Sequence, residues 1–368
     1  MALLFFVNGV VLGSWLPRLP ELRDRFGLGL ASVGLALAVG GLGGLAGSAL
    51  SGVVVGRVGA RQSALWPAAA VMVLLPLLAL VPHALLFASV LGLIAVTDAV
   101  ADVGMNALAA RVEAARGRSI FTRVHGVWSL GSLSGAAVST AAVAGGVGLA
   151  PQLVVTAGAC LAAVVWAAHL LPESEIRPRP EATAGRGVVA FWLAIAGAGA
   201  AFVEATPSDW SALYLSDVLG AAAATAGAGF LGLTLGMVVG RMGGDFVVDR
   251  IGPGRTLAGA LAFVAVAVAL MTSTSNLIVA LIAFTVWGLG VSVLLPLMYR
   301  LAGSHPAFAE GHGLAALTQG SRLGFLAGPA AIGSMAEATT LPVAFVVVVG
   351  LALLATLWAA IFSLRSDN

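Results

Sequence analysis

The sequence predicts an all-α polytopic membrane protein whose twelve transmembrane helices form two six-helix, pseudo-repeated bundles. Three observations predict it. The first is composition: of 368 residues, 60% are hydrophobic and only 9% charged, with a mean hydropathy of +1.05. A soluble domain carries about 25% charged residues, so this chain has too little charge to cover a globule in water, and lipid is the solvent that fits. The second is a series of apolar runs, each near the ~20 residues a helix needs to cross a bilayer. The third is that the second half resembles the first at an offset of 193 residues.

The first run, 1–17, is followed by Trp15-Leu-Pro-Arg18 and not by a small-residue cleavage site, so it reads as a span and not as a signal peptide. It is short for a span, which points to a natural start a few residues upstream. Pro20 to Phe26 makes a break. Spans then follow near 31–55 and 62–81, divided by Arg57 to Arg61. Pro82-His83 precedes 84–110, and Arg111 to Arg123 separates that run from 124–147 and 151–171. The longest polar stretch, Pro172 to Gly187 (PESEIRPRPEATAGRG), is too rich in Pro, Glu and Arg to build a core and reads as a flexible linker. Six more spans follow near 188–207, 221–241, 256–273, 277–299, 313–337 and 343–363, with Gly252-Pro-Gly254 and Ser304 to His312 as breaks. The expected organisation is therefore a bundle over 1–171, a cytoplasmic linker over 172–187 and a second bundle over 188–368.

All 18 basic residues are Arg. With the N-terminus in the cytoplasm, fourteen fall in inside loops or the tail and only Arg18, Arg23 and Arg25 outside, with Arg322 inside a helix. The positive-inside rule favours that orientation, with both termini cytoplasmic. The net charge of +2 and the lack of a basic run argue against nucleic acid. The single cysteine, Cys160, reads as a small buried hydrophobe. No metal-ligand spacing, G-x-S-x-G string, H-E-x-x-H, P-loop or dinucleotide fingerprint occurs. An enzyme, an ATP-driven pump and a cofactor are thus not expected.

The repeat holds its register over several helices. Arg57-Val-Gly59 matches Arg250-Ile-Gly252, Gly34 matches Gly227, and Leu130-Gly131 matches Leu323-Gly324, all at 193. Phe6-Val7-Asn8 falls against Phe202-Val203-Glu204 with a slip of three residues. Repeated halves of this kind build transporters whose solute site lies near the midplane.

Gly52-Val-Val-Val-Gly56-Arg57-Val-Gly59-Ala-Arg61 and Asp245-Phe-Val-Val-Asp249-Arg250-Ile-Gly252-Pro-Gly-Arg255 resemble the loop motif of the major facilitator superfamily. Its usual Asp is Gly56 in the first copy and Asp249 in the second. The resemblance implies the major facilitator fold, alternating access and a monomer. It also implies a cytoplasmic charge latch built from Asp245 and Asp249 with Arg241 and Arg250, and makes Arg57 and Arg61 of the first loop further gating candidates. The helix 5 signature of drug/proton antiporters is missing, since Ala136 follows Gly135. Gly13-Ser-Trp15-Leu-Pro-Arg18, Asp102-Val-Gly-Met-Asn106, His125-Gly-Val-Trp128-Ser-Leu-Gly131, Glu204 to Asp209-Trp210, and Leu235-Gly-Met-Val-Val-Gly240-Arg241 resemble the sugar-permease-like branch typified by the rhizopine-transport protein MosC.

Ionisable groups in a span face a cavity or a partner and mark function. Asp98, Asp102 and Asn106 fall one turn apart on one helix face. Two close carboxylates disfavour double ionisation, as a proton carrier requires. Glu204 is the acid in the helix that matches the one bearing Asn8. His125 can titrate near neutral pH. These residues make Asp98, Asp102, Glu204 and His125 the proton-coupling candidates. Asn8, Asn106, Trp128, Gln319 and Arg322 are the solute-contact candidates. Arg322 requires a carboxylate, a carbonyl or an anionic ligand, and Trp128 can stack on a sugar ring or anchor at the interface. Asp209, beside Trp210, is an outer-gate candidate, with a polar loop as the alternative. The expected function is transport of a small polar solute, sugar- or polyol-like or another organic compound, across the bacterial inner membrane, coupled to protons. Two alternatives stay open: a proton-antiport exporter, and a membrane sensor that transports nothing.

Overall fold

The computed structural model describes residues 1–116, 121–171, 187–303 and 312–365, which are helical almost throughout with no strand among them. Helix α1 (Ala2–Trp15) passes through a 3-10 turn, Leu16–Arg18, into α2 (Leu19–Phe26). The break expected over Pro20 to Phe26 is therefore helical. Next come α3 (Leu30–Leu74), the short α4 (Leu77–Leu80), α5 (Ala84–Arg116), α6 (Phe121–Ala144) and α7 (Leu149–Leu170). The second half holds α8 (Val188–Asp217), the short α9 (Ala223–Ala226), α10 (Ala228–Ile251), α11 (Pro253–Thr272), α12 (Leu277–Gly303) and α13 (His312–Ala338). It closes with α14 (Leu341–Ala344), a π turn over Phe345–Val349, and α15 (Gly350–Arg365). The linker expected at 172–187 lies outside the described residues, apart from Gly187.

Ten helical stretches among the described residues are long and apolar enough to cross a membrane. Leu30–Leu80 is one of them, and its 51 residues have a length of roughly 75 Å, enough for two crossings of a ~30 Å core. Helix α13 is not among the ten, because Thr318, Gln319, Ser321 and Arg322 dilute its middle. Counting Leu30–Leu80 twice and adding α13 gives the twelve spans expected.

Two helices run further than the hydropathy suggests. Helix α8 passes straight through Pro207 to Asp217, whereas a stop at 207 was expected from the proline and the polar pair after it. Trp210 lies within α8 and is fully buried. Helix α10 continues ten residues past 241 to Ile251, so Arg241 lies inside a helix and not in a cytoplasmic loop.

Two compact units divide the chain. Unit 1 comprises Met1–Leu28, Val39–Pro180 and Ala222–Leu231, and unit 2 comprises Gly29–Ala38, Glu181–Ala221 and Gly232–Asn368. In unit 1, α1 lies along α6 so closely that a Cβ on Gly9 or Gly13 would strike the main chain at Trp128 or Ser132, and one on Gly131 would strike Phe6. In unit 2, α8 and α13 interlock in the same way through Gly197 on Leu317, Gly320 on Ala194 and Gly324 on Ala198. Small residues let membrane helices gain packing at close range, where the hydrophobic effect offers little.

The repeat is visible in the backbone. Gly59 (φ 80°, ψ 160°) and Gly252 (φ 84°, ψ 159°), 193 residues apart, hold the same positive-φ conformation, which glycine adopts at no steric cost. Four residues on, the Ser63 and Thr256 hydroxyls donate to the carbonyls of these glycines at 2.8 Å each. Helices α5 and α12 also begin 193 residues apart, at Ala84 and Leu277.

Candidate functional site

In unit 1, three helices bring together residues far apart in sequence. The Trp128 indole Nε1 donates to Asn8 Oδ1 at 2.7 Å, and Asn8 Nδ2 donates to Asp98 Oδ1 at 2.5 Å. The indole nitrogen can only donate, so it sets the orientation of the Asn8 amide. The amide in turn presents its N–H to the carboxylate. The glycine seam between α1 and α6 positions Asn8 and Trp128, and α5 supplies Asp98. One turn along α5 lies Asp102, and Asn106 donates to the Asp102 carbonyl at 3.0 Å. The Asn106 side-chain oxygen is buried with no hydrogen-bond partner among the described residues. Asp98, Asp102 and Asn106 are half-buried, whereas Ala101 and Met105, which flank them on α5, are fully buried. Neither Asp98 nor Asp102 has a cation within ion-pair distance among the described residues.

Unit 2 treats its acid differently. Glu204 Oε1 pairs with Arg241 at 3.3 Å, and the two side chains are only 15% and 14% exposed. Glu204 Oε2 is buried and has no hydrogen-bond partner among the described residues. Helix α10 reaches this position through Gly232, Gly236 and Gly240. A Cβ at each would collide with Thr285, Leu289 or Ser292 of α12, and Arg241 follows directly. The sequence reasoning placed Arg241 in the cytoplasmic latch and missed this pairing. It also missed Tyr299, one of only two tyrosines. The Tyr299 hydroxyl faces the Thr318 and Ser321 hydroxyls and lies within electrostatic reach of Glu204 and Arg322. Arg322 itself is half-buried on α13, and among the described residues no carboxylate lies within ion-pair distance of it.

His125 is exposed at the start of α6, its ring edge-on to Phe5 at 5.5 Å. Gln319 is exposed on α13. Asp209 is half-buried within α8, next to the fully buried Trp210. Arg57, Asp245, Asp249 and Arg250 are exposed and make no ion pair among the described residues. Arg61 instead donates to the carbonyls of Ala168 and Leu171 at 2.6 and 3.1 Å. A crevice of about 360 Å³ between α1, α6 and α7 is lined by apolar groups with Ser134 and Thr156, and none of the candidate residues reaches it.

Long apolar helices in two repeated units, each with half-buried acids inside a membrane-length helix, define a polytopic membrane transport protein. The Major Facilitator Superfamily pattern matches residues 1–318, and the chain belongs to that family. It is 32% identical to an uncharacterised MFS-type transporter of Yersinia pestis, over 93% of this chain and 90% of that one. It is 29% identical to the membrane protein MosC of Rhizobium meliloti, over 95% of this chain and 86% of that one. Among solved structures, the nucleoside transporter NupG in a point-mutant form covers 98% of both chains with a TM-score of 0.79 at 14% identity, a likeness of fold. The chain is therefore a multi-pass membrane transporter of a small molecule and not an enzyme.

Proposed function

We propose that this transporter moves a small polar solute, sugar- or polyol-like or another organic compound, across the bacterial inner membrane by alternating access coupled to protons. It works as a monomer with both termini in the cytoplasm. Asp98 and Asp102 of unit 1 and Glu204 of unit 2 are the proton carriers, with His125 as a further proton-coupling candidate. Asn8, Asn106 and Trp128 are the solute-contact candidates of unit 1, and Gln319 and Arg322 are those of unit 2. The single observation that carries this reading is the Trp128–Asn8–Asp98 relay. It holds an acid of a membrane-spanning helix on a neutral amide, with no cation within ion-pair distance among the described residues, the simplest group that can load and release a proton while polar neighbours bind a solute. The Arg241-bound Glu204 adds a second acid that can exchange partners.

The test is transport in proteoliposomes holding a pH-sensitive dye, with a panel of radiolabelled sugars and polyols. Solute entry should bring protons with it. Asp98→Asn should abolish that proton movement and the uptake driven by a pH gradient while leaving solute exchange. Uptake in the parent protein that ignores the pH gradient would remove proton coupling from the reading. Flux in inverted vesicles separates uptake from export.

A further inference from the structure

The charge balance of unit 2 points to what its solute carries. Two arginines lie inside the helices of that cluster, and they differ in kind. Arg241 is committed to Glu204. Arg322 has no carboxylate and no hydrogen-bond acceptor within bonding distance among the described residues, although it sits eleven residues into a 27-residue membrane helix. A guanidinium at that depth with nothing structural to bind is costly to keep, and such groups mark solute pathways. The Tyr299 hydroxyl lies within its electrostatic reach and faces the hydroxyls of Thr318 and Ser321, which themselves donate to the carbonyls of Leu314 and Leu317.

We infer that Arg322 binds a carboxylate of the transported solute, so that the substrate class is a small hydroxylated carboxylic acid, such as a sugar acid, in its ionised form. The planar guanidinium fork matches the two oxygens of a carboxylate, in a way an ammonium does not, and Tyr299 can donate to one of them. Charge selects a carboxylate over a phosphate ester. One uncommitted cation balances a monoanion, whereas a phosphate monoester at neutral pH brings close to two negative charges to a site where Glu204 already holds the second arginine. This inference rests on the reading of the chain as a carrier of a small polar solute. It adds that the proton entering with a monoanion would make the cycle electroneutral.

The test is thermal stabilisation of the purified full chain by gluconate, glucuronate and glycerate. Each is set beside its neutral counterpart (glucose or glycerol), with glucosamine and glucose 6-phosphate as charge controls. At least one carboxylate should raise the melting temperature while its neutral and cationic counterparts do not. Arg322→Gln should weaken that binding about 10- to 100-fold, the loss expected for a charge-assisted hydrogen bond. Arg322→Lys keeps the charge and loses the fork, and should weaken it less. If Arg322→Gln does not fold, Arg322→Lys carries the test alone, and unchanged affinity in it overturns the inference. Equal binding of glucose and gluconate, binding of the phosphate alone, or no response to any carboxylate also overturns it. A neutral solute that still moves protons would remove the carboxylate and leave proton-coupled transport standing. A carboxylate that binds through Arg322 without proton movement would do the reverse.

Discussion

The two units share a scaffold and divide the chemistry. Both pack their first helix against their fifth through glycines, and both turn at a positive-φ glycine followed by a hydroxyl that bonds it. At matching positions the polar residues then part ways. Asp98 and Asp102 of α5 stand where α12 has the buried Val291 and Leu295, while Asn106 stands where α12 has Tyr299. In the other direction, Ser48 and Ser129 of unit 1 stand where unit 2 has Arg241 and Arg322. Unit 1 thus holds its acid on neutral donors, and unit 2 holds its acid on a cation. The repeat therefore preserved the packing glycines while the charge that each unit buries diverged.

The comparison breaks hardest at the ion pair. Arg241→Ala leaves Glu204 inside unit 2 with no cation, and removing one partner of a buried pair costs about 3–5 kcal/mol. Replacing both, as Arg241→Leu with Glu204→Leu, should recover most of that, because the desolvation cost of both charges goes with them. Thermal unfolding in detergent reads both variants. An Arg241→Ala protein as stable as its parent would mean that the pair is not formed in solution.

In unit 1 the equivalent lesion should be milder, since no charge loses a counter-charge. Asn8→Ala leaves the Trp128 N–H and one oxygen of Asp98 without a partner, a loss of about 2–3 kcal/mol. Trp128→Phe removes a single donor and should cost about 1 kcal/mol. If Asn8→Ala proved the costlier of the two lesions, Asn8 and not Arg241 against Glu204 would be the stronger structural link, and the contrast between the units would have to be reversed.

Much of this fold is legible in sequence because lipid imposes its own pattern. Every span must be apolar for about 20 residues, and the offset of 193 survives in glycines that cannot change without collision. The candidate acids were legible for the same reason, since a carboxylate such as Asp98 stands out in an apolar run. The partners were not. An arginine next to a predicted helix end looks interfacial, so Arg241 was placed in a loop. Its repeat counterpart, Ser48, lies well inside the span expected at 31–55, and that was the signal that Arg241 belongs inside the membrane too. Tyr299 carries no charge and nothing in hydropathy marks it. Only packing brings it to Arg322.

The smallest effect concerns how two helices begin. In unit 2, the Glu337 carboxylate accepts from the Leu30 and Ala31 N–H groups at 2.6 and 3.3 Å, capping the start of α3 from 306–307 residues away. A Cβ on Gly29 would lie 2.8 Å from that carboxylate, so glycine leaves room for the cap. In unit 1, the matching helix start is Gly227, whose neighbours are Pro17 and the Thr140 hydroxyl, and no charged group is among them. An exposed anion at a helix N-terminus contributes about 0.3–1 kcal/mol and is screened by salt. Glu337→Gln should therefore lower the melting temperature slightly in low salt and hardly at all in high salt. Thr140→Val should show no such salt dependence. A shift in Glu337→Gln that salt does not touch would mean that the carboxylate acts by shape alone. The charge asymmetry between the units would then end at the buried residues and not extend to the helix starts.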